Sequence, residues 1–153
     1  MINLNISMLI EKPVAQIFNF ISTPENDFQW QYGTLSSNKL SKELLANGSL
    51  FRSIGHLMGQ RSISTFQVTE FEQDKKYSFK SLSGTLNSHT TYTFEIDNSS
   101  TKVNVSTQVN AINSIEVNEG MLERKMKRQL KENLALLKEV LEAKRLQPVL
   151  VVK

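Results

Sequence analysis

Two histidines, His56 and His89, are the only imidazoles in the chain, and there is no cysteine. Thiolate nucleophiles, disulfides and cysteine-ligated zinc are thereby excluded. The two histidines have no further ligand type at useful spacing, so neither a metal nor a cofactor is expected. Any acid–base chemistry would have to come from a histidine, a tyrosine or a carboxylate held beside a substrate. His56 alternates with Ile54 and Met58, which predicts that it points toward an apolar interior. His89 shares its parity with Thr91 and Thr93 and is expected in solvent. His56 and Tyr92 are the candidate catalytic groups, although a satisfied structural histidine accounts for His56 better than a general base does. Glu70 and Glu72 lie two apart on one strand face, where solvated carboxylates explain them better than an acid–base pair. The chain has no GxSxG elbow, no GxxxxGK[ST] loop and no GxGxxG, and Gly55 and Gly59 read as strand or turn glycines.

The elements that would hold these groups follow from periodicity. Ile2, Leu4, Ile6, Met8 and Ile10 share one face of a half-buried strand, with Asn3, Asn5 and Ser7 on the other. Pro13 suits the first turn of a helix carrying Val14, Ile17, Phe18 and Ile21, which must stop near Ser22 because Pro24 restricts Thr23. Between residues 34 and 112, turn signals recur at Asn47-Gly48, Gly59, Asp74-Lys75, Ser83-Gly84 and Asp97–Thr101, the spacing of an antiparallel meander. Its last two strands alternate cleanly: Tyr92, Phe94 and Ile96 on one face, then Val103, Val105, Thr107, Val109 and Ala111. The period then changes. Leu122, Met126, Leu130, Leu134, Leu137 and Leu141 form a stripe with no glycine or proline between Gly120 and Gln147. A helix of about 25 residues is ~38 Å long and needs a partner surface of that length. The apolar face of the meander is the only one on offer, so the fold class is α+β: one domain over residues 1–145 with an apolar tail at 146–153.

Charge narrows the partners. The net charge is +3, and Arg124, Lys125, Lys127, Arg128, Lys131, Lys138, Lys144 and Arg145 crowd one segment, interleaved with Glu123, Glu132, Glu139 and Glu142. With Met126 and Leu130 inside the run and no aromatic platforms, a solvated helix face explains it better than a nucleic-acid site. The same face would attract an anionic membrane surface transiently. There is no 18-residue apolar run and no basic leader at the N-terminus, so a cytoplasmic protein is expected. The tail Leu146–Lys153 suits addition as a strand to a partner or to a dimer mate.

The opening stretch carries a resemblance. An apolar strand at Ile2–Ile10, Pro13, the Ile17-Phe18 pair, the turn Thr23-Pro24-Glu25-Asn26, Trp30, Gly48 opening a later strand and the Leu-rich final helix together resemble the START-like or SRPBCC superfamily, closest to its polyketide cyclase/dehydrase branch. One departure is the first helix's N-cap, which would fall on Lys12 or Glu11 rather than on Ser, Asp or Thr. The resemblance implies a helix-grip fold: a curved sheet of about seven strands around the C-terminal helix, with two short helices after the first strand. It implies a hollow lined by Trp30, Phe51, His56, Met58, Phe66, Phe79, Tyr92, Phe94, Met126, Leu130 and Leu134, with Arg52 as a further polar contact. Trp30 would seal its mouth with its ring inward and its N–H near solvent, or simply anchor the core. The implied function is binding of a small hydrophobic, lipid- or polyketide-like molecule. The alternatives are a cyclase/dehydrase-type enzyme using the same cavity and an interaction module working through the tail.

Overall fold

The computed structural model describes residues 1–57, 59–84, 86–111 and 118–143. Seven strands form a single antiparallel sheet: β1 (Ile2–Ile10), β2 (Thr34–Lys39), β3 (Leu50–Leu57), β4 (Gln60–Glu72), β5 (Lys76–Ser83), β6 (Leu86–Asp97) and β7 (Ser100–Ala111). Their order is β1-β7-β6-β5-β4-β3-β2, so only β1 leaves the sequential meander, pairing with β7 from Ile2↔Val109 to Ile10↔Thr101. Between β1 and β2 lie helix α1 (Val14–Ile21) and a 3-10 helix, Pro24–Gln29. Helix α2 (Glu119–Glu142) closes the fold, and the curved sheet grips it.

Local chemistry sets the element ends. Pro13 sits one position earlier than expected, as the N-cap of α1 with extended backbone and no capping side chain, so neither Lys12 nor Glu11 caps this helix. Asn118 caps α2 by accepting a hydrogen bond from Met121 N at 3.0 Å, satisfying one of the open N–H groups of the first turn. Asp74 and Asn98 take positive φ in the tight β4–β5 and β6–β7 turns, a conformation these side chains tolerate. Ile96 keeps its place in the alternation, paired with Thr101 in unbroken register, but it is 72% exposed near the end of β6.

The stripe on α2 divides its burial between two apolar clusters. Leu134, Leu137 and Leu141 join Ile17, Phe18, Trp30, Tyr92 and Val105. Leu122 joins Ile2, Leu4 and Val109, with Met126 and Leu130 packed alongside. Under α1, Phe18 meets Phe71 and Phe94 edge-to-face, each at 5.4 Å between ring centroids. Polar bonds then fix α2 on both flanks. Lys138 Nζ donates to Leu9 O at 3.0 Å on the β1 side. On the other side Tyr32 N donates to Asn133 Oδ1 at 2.9 Å, and Gln129 Nε2 donates to Tyr32 O.

The turn into β2 depends on a glycine contact. Gly33 has φ +87°, and Gly55 of β3 lies so close that a Cβ there would overlap Gly33 O, a backbone atom that cannot swing aside. Gly55→Ala is expected to destabilise the protein by ~1–3 kcal/mol through this forced shift. A urea titration of the two proteins checks it, and an unchanged midpoint would show that the turn moves freely.

Candidate functional site

Cross-strand register decides which side chains face α2. Phe51 pairs with Phe66 and their rings stack at 5.2 Å, which fixes the inward parity of β3 and β4. Phe79 meets both rings edge-to-face, at 5.2 and 5.4 Å. Tyr77 and Tyr92 continue the row, stacked at 6.3 Å, and Trp30 crosses Tyr92 edge-on at 6.2 Å. An aromatic wall therefore runs from β3 to β6 and ends at the 3-10 helix. Trp30, Phe51, Tyr92 and Leu134 are buried, while Phe66, Phe79, Phe94, Met126 and Leu130 are half-buried. Phe94 stands with Phe18 under α1 rather than with the wall, and Met126 belongs to the cluster at the opposite end of α2.

Beyond the wall the same face becomes hydroxyl-rich. Ser53 pairs with Ser37 on one side and Ser64 on the other, all in register with Phe51 and Phe66. Thr90 pairs with Thr107, their hydroxyls 2.8 Å apart, and Ser88 N donates to Ser81 Oγ at 2.9 Å. A cavity of about 170 Å³ opens between the β2–β4 end of the sheet and α2, bordered by Tyr32, Ser53, Ser62, Ser64, Phe66 and Gln129. Cavities near this size, when apolar, admit a single aromatic ring. This one is bordered by a single ring of the aromatic wall, Phe66, by Tyr32 and by the serines 53, 62 and 64.

His56 does not face inward. The inward parity runs through residues 51, 53 and 55, so Arg52, Ile54 and His56 take the other face, and the His56 ring is exposed. Its backbone still borders the cavity, with His56 N donating to Gly33 O at 2.7 Å. His89 is exposed as expected and lies 3.2 Å from Thr69 Oγ1. Glu70 pairs with Lys76 at 3.0 Å and accepts from Ser78, so it is an ion-paired carboxylate on the outer face. Met58 and the tail at 146–153 lie outside the described residues. Among the described residues no group of three or more His, Cys, Asp or Glu could hold a metal ion. Nor is any helix among them long and apolar enough to cross a membrane. Arg124, Lys125, Lys127, Arg128 and Lys131 are all exposed along α2.

The group that sequence reasoning missed is Asp27. It sits in the 3-10 helix, 8% exposed, where its backbone carbonyl accepts from Trp30 N and Gln31 N. Burial pushes its carboxyl from 3.8 up to about 8, against the opposing hydrogen bond with Ser37 and with a small push from the Glu25 charge. Burial also raises the phenols of Tyr77 and Tyr92, and the neighbouring Asp27 raises both further. Asp27 is thus a neutral carboxylic acid at pH 7, set beside two phenols that stay protonated throughout the physiological range. Of the two expectations for Trp30 the core anchor holds: its Nε1 is not near solvent but buried without a hydrogen-bond partner.

Comparison with known proteins bears on the architecture around these groups. A family model described as "Polyketide cyclase / dehydrase and lipid transport" matches residues 1–142. A START superfamily protein from Mycobacterium smegmatis superposes with a TM-score of 0.80 at 14% identity, over 92% of this chain and 97% of that one. A protein from Thermus thermophilus gives 0.74 at 16% identity, over 90% and 94%. The di-domain ARO/CYC BexL from the BE-7585A biosynthetic pathway gives 0.73 at 15% identity, over 93% of this chain and 47% of that one. Comparison with curated protein sequences gives no match. At such identities the structural likeness is one of fold.

Proposed function

The chain belongs to the polyketide cyclase/dehydrase and lipid transport family, and on that premise we propose that it binds a small hydrophobic molecule between the sheet and α2. The observation that carries this reading is the cavity bordered by Phe66, the one ring of the aromatic wall that reaches it, itself stacked on Phe51 and edge-on to Phe79. An apolar recess with a few convergent polar groups is the usual form of a small-molecule site. Burial of an apolar skeleton contributes about 25 cal/mol per Å², so 200–300 Å² of contact gives useful affinity before the entropy of association is subtracted. Native mass spectrometry of the freshly purified protein, followed by extraction, tests it. A stoichiometric hydrophobic adduct is expected. Its absence, together with no binding of added aromatic hydrocarbons or ketones, would overturn the reading.

A second reading, a cyclase/dehydrase-type enzyme, is favoured by one observation: the Asp27 carboxyl, raised by burial, beside Tyr77, Tyr92 and Ser37, groups that lie in the core and do not themselves border the cavity. A carboxyl poised near neutral pH has the range a general acid or base needs. Under this reading Asp27→Asn abolishes turnover of a poly-β-ketone substrate while the bound complex still forms. Binding of such a substrate by the wild type without turnover would favour the carrier instead.

A further inference from the structure

The exposed side of α2 carries a block of charge that the fold does not use. Arg124, Lys125, Lys127, Arg128 and Lys131 stand with no acid between them, and Glu123 and Glu132 bound the block. All five cations are exposed, and no ion pair joins any of them to a carboxylate among the described residues. Arg124 and Arg128, like Lys127 and Lys131, are equal charges four apart on one helix. Arg124 with Lys127, Lys125 with Arg128, and Arg128 with Lys131 are equal charges three apart. Such pairs repel across a turn, so the block costs α2 stability rather than adding to it. The other half of the helix is built differently: there Lys138 pairs with Glu142 at 2.8 Å.

The block runs past the cavity. Gln129 lies within it and borders the cavity, and Lys125 stands one turn earlier on the same ridge of the helix. Gln129 donates to Tyr32 O and Asn133 accepts from Tyr32 N, which pins Tyr32 to that flank of α2. Tyr32 borders the cavity too and is 50% exposed, while Met121, one turn before Lys125, is 44% exposed. Cations beside exposed aromatic and thioether side chains suit the headgroup boundary of a bilayer, where apolar groups enter the interface and the charges meet anionic headgroups. We infer that this flank of α2, with Tyr32, docks on an anionic membrane surface and sets the cavity against the lipid. An apolar ligand then passes between bilayer and cavity without crossing bulk water. A nucleic acid fits less well. The block is only ~12 Å long, acids close it at both ends, and no aromatic ring is interleaved with its charges. The docking itself does not require a filled cavity; only the ligand's path rests on the cavity-binding reading.

Vesicle sedimentation tests the surface with no cavity ligand present, so its failure and that of the cavity reading are separate events. The probes are vesicles of phosphatidylcholine, alone or with about 30 mol% phosphatidylglycerol. The wild type is expected to bind the anionic vesicles at least about ten-fold more tightly than the neutral ones, and to lose most of that difference at about 500 mM salt. Arg124→Gln, Lys125→Gln and Arg128→Gln together are expected to weaken binding about 100-fold at low salt, about five-fold for each charge removed. Lys75→Gln, Lys80→Gln and Lys102→Gln together remove the same charge from exposed sites on and beside the sheet, and are expected to weaken it by no more than about three-fold. Tyr32→Ser is expected to weaken binding by the same factor at low and high salt, because burial of a ring is not screened. Circular dichroism verifies that each variant keeps its helix. Equal loss in the two triple variants, or equal binding to neutral and anionic vesicles, overturns the docking surface while the cavity reading stands. Tighter binding to an RNA or DNA oligonucleotide than to anionic vesicles, at equal phosphate concentration, overturns it in favour of a nucleic-acid face.

Discussion

Asp27→Asn is expected to raise the melting temperature by about 10 °C at pH 8 and to change it little at pH 4. The sign follows from which state holds the proton. Asp27 titrates at about 8 in the folded protein and at 3.8 when unperturbed, so the folded chain binds its proton more tightly than the unfolded chain does. The stability owed to that proton is complete below about pH 4. It declines by ~1.4 kcal/mol per pH unit as the unfolded chain ionises and the folded one does not. Above about pH 8 both states are ionised and nothing further is lost. Across the whole window the difference is on the order of 5 kcal/mol, and asparagine, which keeps a hydrogen bond to Ser37, recovers most of it. Thermal unfolding of both proteins from pH 4 to pH 9, followed by circular dichroism, checks this. Curves that stay parallel over the window would mean that Asp27 is ionised in the folded protein, and the neutral-acid account of the site would fail. A carbon-detected carboxyl titration offers a second readout: one aspartate signal moving near pH 8 in the wild type and missing from the variant.

The sequence made the strands readable wherever one sheet face is apolar along its whole length. The alternation in β1 and β7 gave the right inward set, and the stripe from Leu122 to Leu141 gave the right face of α2. The same rule misplaced the end of β3 near the cavity. There the inward residues are Ser53, Ser62 and Ser64, while Ile54 and Ile63 pair on the outer face and Ile63 is 53% exposed. A period-two reading places isoleucine inside and serine outside, so it turned His56 toward the cavity with Ile54. The register is set instead by Phe51 and Phe66, whose stacked rings bury far more area than an isoleucine pair at a sheet surface. A sheet face that turns polar beside a cavity breaks the pattern that identifies a core. Asp27 was hidden for a related reason. In Pro24–Gln29 it stands among Glu25, Asn26 and Gln29, which look like a solvated connection, and nothing local shows that Ser37 and two phenols close over it. The one available signal was Tyr77, two residues before Phe79 and thus inward with it.

Trp30→Ala is expected to destabilise the protein by about 4 kcal/mol, and Trp30→Phe by only about 1 kcal/mol. Trp30 is 1% exposed and packs with Tyr92, Phe51 and Leu134 in the core, so alanine leaves a cavity larger than neighbouring side chains can close. Phenylalanine keeps much of the ring volume and loses the indole N–H. That N–H has no hydrogen-bond partner, and a buried unpaired donor costs about 1–3 kcal/mol. Its removal offsets part of the lost packing, which is why the two substitutions separate so widely. Urea denaturation followed by circular dichroism measures both, since neither variant retains a tryptophan to report by fluorescence. A phenylalanine variant as unstable as the alanine one would show that the N–H contributes a hydrogen bond, giving the 3-10 helix a polar anchor besides Asp27. If the contrast holds, Trp30 is an apolar wedge. Trp30 does not border the cavity, so ligand affinity should survive Trp30→Phe within a factor of about two.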